Sequence, residues 1–166
     1  MKASIYWIET TKKGRLAVLG RPRAGDWLED EIKSWRESKI DVVVSLLVDY
    51  EVEELGLTQQ AEICSQNKID YISFPIYDRQ CPDQDKTTAD FIAKLAKLIV
   101  NGHSVGVHCR SSVGRATLVV ASVLILFDVT AQAALERISK SRRCEVPDTL
   151  EQRKWIEEFS GSHFEN

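Results

Sequence analysis

Eight consecutive residues, His108-Cys109-Arg110-Ser111-Ser112-Val113-Gly114-Arg115, carry the residue types and spacing that phosphoryl chemistry needs. Before them Ser104 to Val107 alternates small and apolar residues, as a short buried strand does. After them Ala116 to Phe127 is an apolar run too short to cross a bilayer and suited to a buried helix. The octet is therefore a strand-to-helix turn. Such a turn points successive backbone N–H groups and the positive end of a helix dipole into one concavity, which suits a dianionic phosphate. Gly114 is expected to relieve crowding where backbone comes close to a ligand. Cys109 at the mouth would feel the dipole, the amides, His108 and Arg115, surroundings that favour a reactive thiolate. Arg115 offers a planar fork of donors matched to two phosphoryl oxygens. The chemistry implied is a thiolate aimed at phosphorus, cradled by Arg110, Ser111, Ser112, Val113, Gly114 and Arg115, with His108 tuning the thiolate.

Such a nucleophile needs a proton donor for the departing oxygen. Asp78 is the candidate: it follows the strand-like Phe74-Pro75-Ile76 and lies in a loop, Tyr77 to Pro82, able to close over a substrate. Asp83 and Asp85 read as solvated turn residues.

The elements that must position these groups alternate in type. Ser4–Ile8 and Arg15–Leu19 have the spacing of a hairpin. Asp26 with Glu29 predicts a capping box for a helix that turns Leu28, Ile32 and Trp35 to one side. Asp41–Val48 is almost unbroken β-branched and apolar sequence, the mark of a central strand covered on both faces. A polar, Glu-rich stretch follows, then a helix opening at Thr58 and a strand over Tyr71–Ile76. Thr87–Asp90 predicts another capping box, with Phe91, Ile92, Leu95, Leu98 and Ile99 as the stripe of its helix. Thr130 and Asp148 read as N-caps of two further helices, the last docked by Trp155, Ile156 and Phe159. Strands alternating with helices predict one α/β domain over residues 1–166, a central, mainly parallel sheet with helices on both faces.

With 43% hydrophobic and 28% charged residues in 166, the chain reads as one globular domain. A net charge of −3 and a pI near 5.7 give no global attraction to nucleic acid or anionic membrane. Ser4–Ile8 is too short for a secretory leader, and the expectation is a cytoplasmic protein. Cys64, Cys81, Cys109 and Cys144 are irregularly spaced, without a CxxC pair, which points to reduced thiols and no metal site. Cys81 reads as an incidental loop cysteine, with a resolving role toward an oxidised Cys109 as the alternative.

A His-Cys pair followed by five residues and an Arg resembles the signature of the cysteine-dependent protein tyrosine and dual-specificity phosphatases. The resemblance extends over Leu16 to about Phe159 and covers GDWLEDEIKSW, DVVVSLL, FPIYDRQCPD, VHCRSSVGR and VPDTLEQRKW. In pattern it is nearest to the kinase-associated branch of the dual-specificity phosphatases. The FPIYDRQCP stretch looks like that group's acid-bearing loop, with the Asp about thirty residues before the nucleophile. Low-molecular-weight tyrosine phosphatases, with the nucleophile near the N-terminus, match poorly. The resemblance implies metal-free, cofactor-free hydrolysis of phosphomonoesters on proteins through a phosphocysteine, on phosphotyrosine, with phosphoserine and phosphothreonine left open. It further implies Gln152 as the residue that orients the hydrolytic water.

Two positions depart from the family's pattern. Ala116 stands where a Ser or Thr hydroxyl usually supports the departing thiolate, and Thr117, turned about 100° around the helix, is not expected to replace it. Ser112 stands where Gly is frequent, a strained choice if φ is positive. These departures keep open a phosphoprotein-binding pseudophosphatase of weak or no activity. A phosphatase of small phosphomonoesters or phosphoinositides is a further alternative, although only Arg110 adds positive charge to the loop beside Arg115. A sulfurtransferase would have no use for Asp78.

Overall fold

A computed structural model gives the structure of the protein and describes residues 4–165. Five strands form one sheet, β1 (Ile5–Ile8), β2 (Leu16–Leu19), β3 (Val42–Ser45), β4 (Asp70–Ser73) and β5 (Val105–His108), in the order β1-β2-β5-β3-β4. Only the β1–β2 hairpin is antiparallel, and β2, β5, β3 and β4 run parallel. Seven helices cover it: α1 (Asp26–Glu37), α2 (Asp49–Glu54), α3 (Gln60–Gln66), α4 (Lys86–Val100), α5 (Arg115–Leu126), α6 (Ala131–Arg142) and α7 (Leu150–Glu165).

The apolar run of β3 has the cause its sequence suggests. Val42 and Val44 face the core made with α4, α5, α6 and α7, while Val43 faces a second core with Ile32, Trp35 and Cys64. Alternation is invisible in the sequence because both faces are covered. The same is true of α5, whose residues from Arg115 to Ile125 are all buried among α4, α6, α7 and the sheet.

Several helix starts differ from expectation. Asp26 lies within the first turn of α1, capped by Gly25 at φ 66 and by no side chain. The six-residue α2 fills the Glu-rich stretch for which no element is predicted. Helix α3 opens at Gln60 instead of Thr58. Asp85 caps α4 by accepting from the Thr88 N–H at 2.9 Å, so that helix begins before Thr87. Thr130 caps α6 as expected, accepting from the Ala133 N–H. At α7 the cap passes from Asp148 to Thr149, whose hydroxyl accepts from the Gln152 N–H at 3.1 Å. At α4 and α7 the cap is a neighbouring polar residue one or two positions from the expected one, which a capping pattern alone does not rank.

Strands β3 and β5 end level, Ser45 beside His108. The segments that follow them, 46–51 and 109–115, therefore leave the sheet together at its carboxyl end. That is where open parallel sheets place their ligands.

Candidate active site

The octet forms the turn between β5 and α5 and ends on Arg115, which is only 1% exposed. A buried arginine requires an acid. Glu51 of α2, itself 0% exposed, meets it in a two-point fork: Nη1 donates to Oε1 at 2.7 Å and Nη2 to Oε2 at 3.0 Å. Nη1 also donates to the Ile76 carbonyl at 2.7 Å. Burial pushes the Glu51 carboxyl up, but hydrogen bonds from Arg115 and the Val48 N–H, with the charges of Arg115 and Arg110, outweigh it and hold its pKa below the ordinary value. Both groups are therefore charged in a dry floor. Arg115 Nε is buried and has no partner among the described residues.

Asp78 arrives from the opposite side. Its Oδ1 lies 3.2 Å from Arg115 Nη2, and its side chain is 47% exposed. The loop that carries it is tied to the start of α7. Arg79 pairs with Asp148 at 3.0 Å, the Gln152 amide donates to the Gln80 carbonyl at 3.2 Å, and the Trp155 indole donates to the Pro82 carbonyl at 2.9 Å.

Cys109 is buried at the foot of the loop, and its N–H donates to the Ser112 hydroxyl at 3.3 Å. That hydroxyl donates in turn to the Leu19 carbonyl at 2.6 Å. Ser112 sits at φ 58, so the strain anticipated for a non-glycine residue is present there. Thr117 Oγ1 is buried without a partner, so it makes no hydrogen bond to Cys109 in place of the hydroxyl that Ala116 lacks.

His108 points to the other face of the sheet. Gln60 Nε2 donates to its Nε2 at 2.8 Å, the Trp35 ring lies tilted beside it at a centroid distance of 6.2 Å, and Nδ1 lies 3.4 Å from the Cys109 carbonyl. Burial pushes its pKa down to about 4, with the Arg21 and Arg115 charges adding to burial and the hydrogen bond to the Cys109 carbonyl opposing it. Near neutral pH the imidazole carries no charge, so its hold on the nucleophile runs through the backbone.

Gln152 is 1% exposed. Its Oε1 accepts from the Thr149 N–H at 3.2 Å, completing a reciprocal cap at the start of α7. It also lies against the loop. A Cβ added to Gly114 would come within 2.7 Å of Gln152 Oε1 and 2.9 Å of Asp148 Cβ. The close approach that requires glycine here is thus to α7, not only to a ligand. Arg110, at the rim, pairs with Glu54 at 3.4 Å. Cys81 is half-buried and its thiol is pushed up by burial and by Glu151 and Glu158, while burial pushes Cys64 up to about 12.

Residues 17–128 match the family model of the phosphatases described as "Tc-R-P: Polymorphic toxin system, DSP-PTPase phosphatase". The chain belongs to this family. Within this dual-specificity and tyrosine phosphatase group, a protein of Invertebrate iridescent virus 6 named as a tyrosine phosphatase is 30% identical over 100 residues. The match covers 58% of this chain and 36% of that relative, so the chain spans about a third of the viral protein's length. Among solved structures, kinase-associated phosphatase with its catalytic cysteine replaced by serine superimposes with a TM-score of 0.86 at 17% identity, covering 100% of this chain and 98% of that one. PTPMT1 in complex with PI(5)P gives a TM-score of 0.72 at 16% identity, over 96% and 97% of the two chains. These likenesses show the fold that the dual-specificity phosphatase resemblance implies.

The sequence singles out Cys109, Arg115 and Asp78, whose segments meet at the carboxyl end of the sheet, and does not single out Glu51 and Gln60. Glu51 is one of four acids among Asp49, Glu51, Glu53 and Glu54. The usable signal is that a signature arginine buried beneath a loop demands a carboxylate, and the end of the neighbouring central strand is where one can stand.

Proposed function

We propose that the protein hydrolyses phosphomonoesters on proteins through a phosphocysteine, as a single phosphatase domain. The observation that carries this reading is the Arg115 guanidinium. Glu51 fixes both Nη atoms, Asp78 stands at one of them, and the buried Nε is left to donate to a phosphoryl oxygen. An unsatisfied buried donor is costly unless a ligand takes it.

The sequence of events follows from the groups present. Substrate phosphate enters the N–H-lined loop, and Arg115 steadies the charge that spreads over its oxygens. The Cys109 thiolate attacks phosphorus, the ester P–O bond breaks, and Asp78 gives its proton to the leaving oxygen. Water then attacks the phosphocysteine while the Asp78 carboxylate takes the proton back. The S–P bond breaks and the thiolate returns. Gln152, already against Gly114 beside the loop, is placed to orient that water once its amide turns from the Gln80 carbonyl. His108 holds the loop by its backbone, and Arg110, Ser111, Ser112, Val113 and Gly114 line the cradle.

Exposed tyrosines on the two elements flanking the site, Tyr50 on α2 and Tyr77 beside Asp78, favour a protein substrate that presents an aromatic phosphoester. No helix among the described residues is long and apolar enough to cross a membrane. We place the activity in the reducing cytoplasm, where the four cysteines stay free thiols.

Turnover of an aryl phosphate and of phosphotyrosine, phosphoserine and phosphothreonine peptides without added metal tests the reading. Wild type turns over, and Cys109→Ser has no activity yet still binds orthovanadate. Full activity in Cys109→Ser overturns the assignment. An inactive wild type that binds orthovanadate leaves the phosphoprotein-binding alternative in its place, and turnover confined to a phosphoinositide substrate leaves the lipid one.

A further inference from the structure

The peptide groups of the cradle are fastened from outside by two arginines that do not line it. Arg142, the last residue of α6, donates from Nε to the Ser112 carbonyl at 3.1 Å and from Nη2 to the Ser111 carbonyl at 3.2 Å. Arg21 donates from Nη1 to the Arg110 carbonyl at 3.3 Å. Three consecutive carbonyls are thus drawn away from the concavity. Because C=O and N–H of one trans peptide point in opposite directions, the N–H groups of Ser111, Ser112 and Val113 are turned the other way. A run of N–H groups converging in this fashion is an anion-binding nest.

The fastening is concentrated where the loop is strained. Ser112 holds φ 58, a conformation that costs a non-glycine residue free energy and persists only where the surroundings hold it. Its carbonyl is held by Arg142, and its hydroxyl is held between the Cys109 N–H and the Leu19 carbonyl. Arg142 is itself fixed. Its guanidinium lies 4.2 Å over the Tyr6 ring, and the neighbouring Ser141 hydroxyl donates to the Trp7 carbonyl at 2.9 Å. The end of α6 is thereby braced on β1, with the cradle on the far side of the brace.

We infer that Arg142 is a positioning residue for the phosphate site: its two-pronged grip on the Ser111 and Ser112 carbonyls holds the loop in its anion-accepting form. The inference rests on the phosphatase reading of that loop, and its chemistry is geometric instead of coulombic. A positive charge at position 142 is not enough. Only a planar fork meets two adjacent carbonyls at once.

The experiment compares wild type, Arg142→Lys, Arg142→Gln and each variant combined with Ser112→Gly. It measures kcat and KM on an aryl phosphate, orthovanadate binding by calorimetry, and thermal midpoints. Arg142→Lys and Arg142→Gln are expected to weaken orthovanadate binding alike, by about tenfold or more. KM should rise by a similar factor and kcat should fall less. Ser112→Gly should recover most of that loss in both backgrounds, since glycine takes the left-handed conformation without the penalty. A thermal midpoint lowered equally in the single and double variants separates this recovery from a repair of global stability. If Arg142→Lys binds orthovanadate as wild type does, charge suffices and the inference is wrong. Loss that Ser112→Gly fails to recover also overturns it. A wild type that neither turns over nor binds orthovanadate overturns the phosphatase reading and this inference together, an outcome distinguishable from the others because it appears before any substitution is made.

Discussion

Arg115 meets two carboxylates of opposite circumstance. Glu51 reaches it through a dry floor, with both partners sealed from solvent, while Asp78 reaches it from a loop exposed along residues 77–80 and tied down by polar links to α7. The buried carboxylate cannot exchange protons with substrate, and its lowered pKa keeps it a permanent counter-ion. The exposed one is the carboxylate that the proposed mechanism uses to pass a proton to the leaving oxygen. The same pairing of residue types is thus sealed from water on one side and open to it on the other, and on the proposed mechanism only the open side takes part in the chemistry.

Substitution of the two acids should separate these duties. Glu51→Ala leaves a buried guanidinium without its partner, and is expected to cost about 3–5 kcal/mol of stability, read by urea unfolding, with turnover lost as well. Asp78→Ala should leave stability within about 0.5 kcal/mol of wild type, because the group is exposed. Its effect is on rate: a fall of about 10²- to 10⁴-fold on substrates with poor leaving groups, shrinking as the leaving group improves. Equal stability losses in the two variants would dissolve the contrast between floor and loop.

A pH scan sharpens it further. His108 has a folded pKa of about 4 against an ordinary value near 6.5, so between those values the unfolded chain takes up a proton that the folded chain refuses. Stability from this residue is complete above about pH 6.5 and falls as pH drops toward 4, by about 2 kcal/mol at pH 5. Chemical denaturation of His108→Gln across pH 5–7 should show a correspondingly flatter dependence than wild type. An unchanged slope would mean that His108 is not the buried neutral support of the loop.

The smallest expected effect concerns the second step. With Ala116 unable to donate to the departing thiolate and the Thr117 hydroxyl unpartnered, phosphocysteine should hydrolyse more slowly than it forms. Rapid mixing should then show a burst of leaving group, and Ala116→Ser should raise steady-state turnover a few-fold. Absence of a burst, with turnover unchanged by serine, excludes that reading.

The parts legible in the sequence are those whose signal is local. The octet, the apolar runs of β3 and α5 and the loop bearing Asp78 each declare themselves by residue type and period, and all lie where expected. The support of the site is long-range and is not declared. Glu51 is indistinguishable from its acidic neighbours until Arg115 is placed against it. Nothing in VPDTLEQRKW records that Gln152 is buried or that Gly114 leaves room for it. How His108 would act on the thiolate is hidden for the same reason, since its neighbours in sequence are the loop but its neighbours in space are Trp35 and Gln60. Family resemblance supplies roles for such residues and cannot supply their surroundings.

The loop from Cys109 to Arg115 takes its fixings from Leu19, Arg21, Glu51, Arg142 and the start of α7, nearly the whole length of the chain. During synthesis at about 5–20 residues per second, Arg142 follows Cys109 by roughly 2–7 s. A nascent chain therefore displays the complete signature before it owns the clamp and the capping helix that shape it. On the inference above, the anion-accepting form of the loop is expected only once those later segments are in place. Vanadate affinity measured on ribosome-stalled chains of increasing length would time that moment, and makes the cradle a gauge of whether the entire domain has closed.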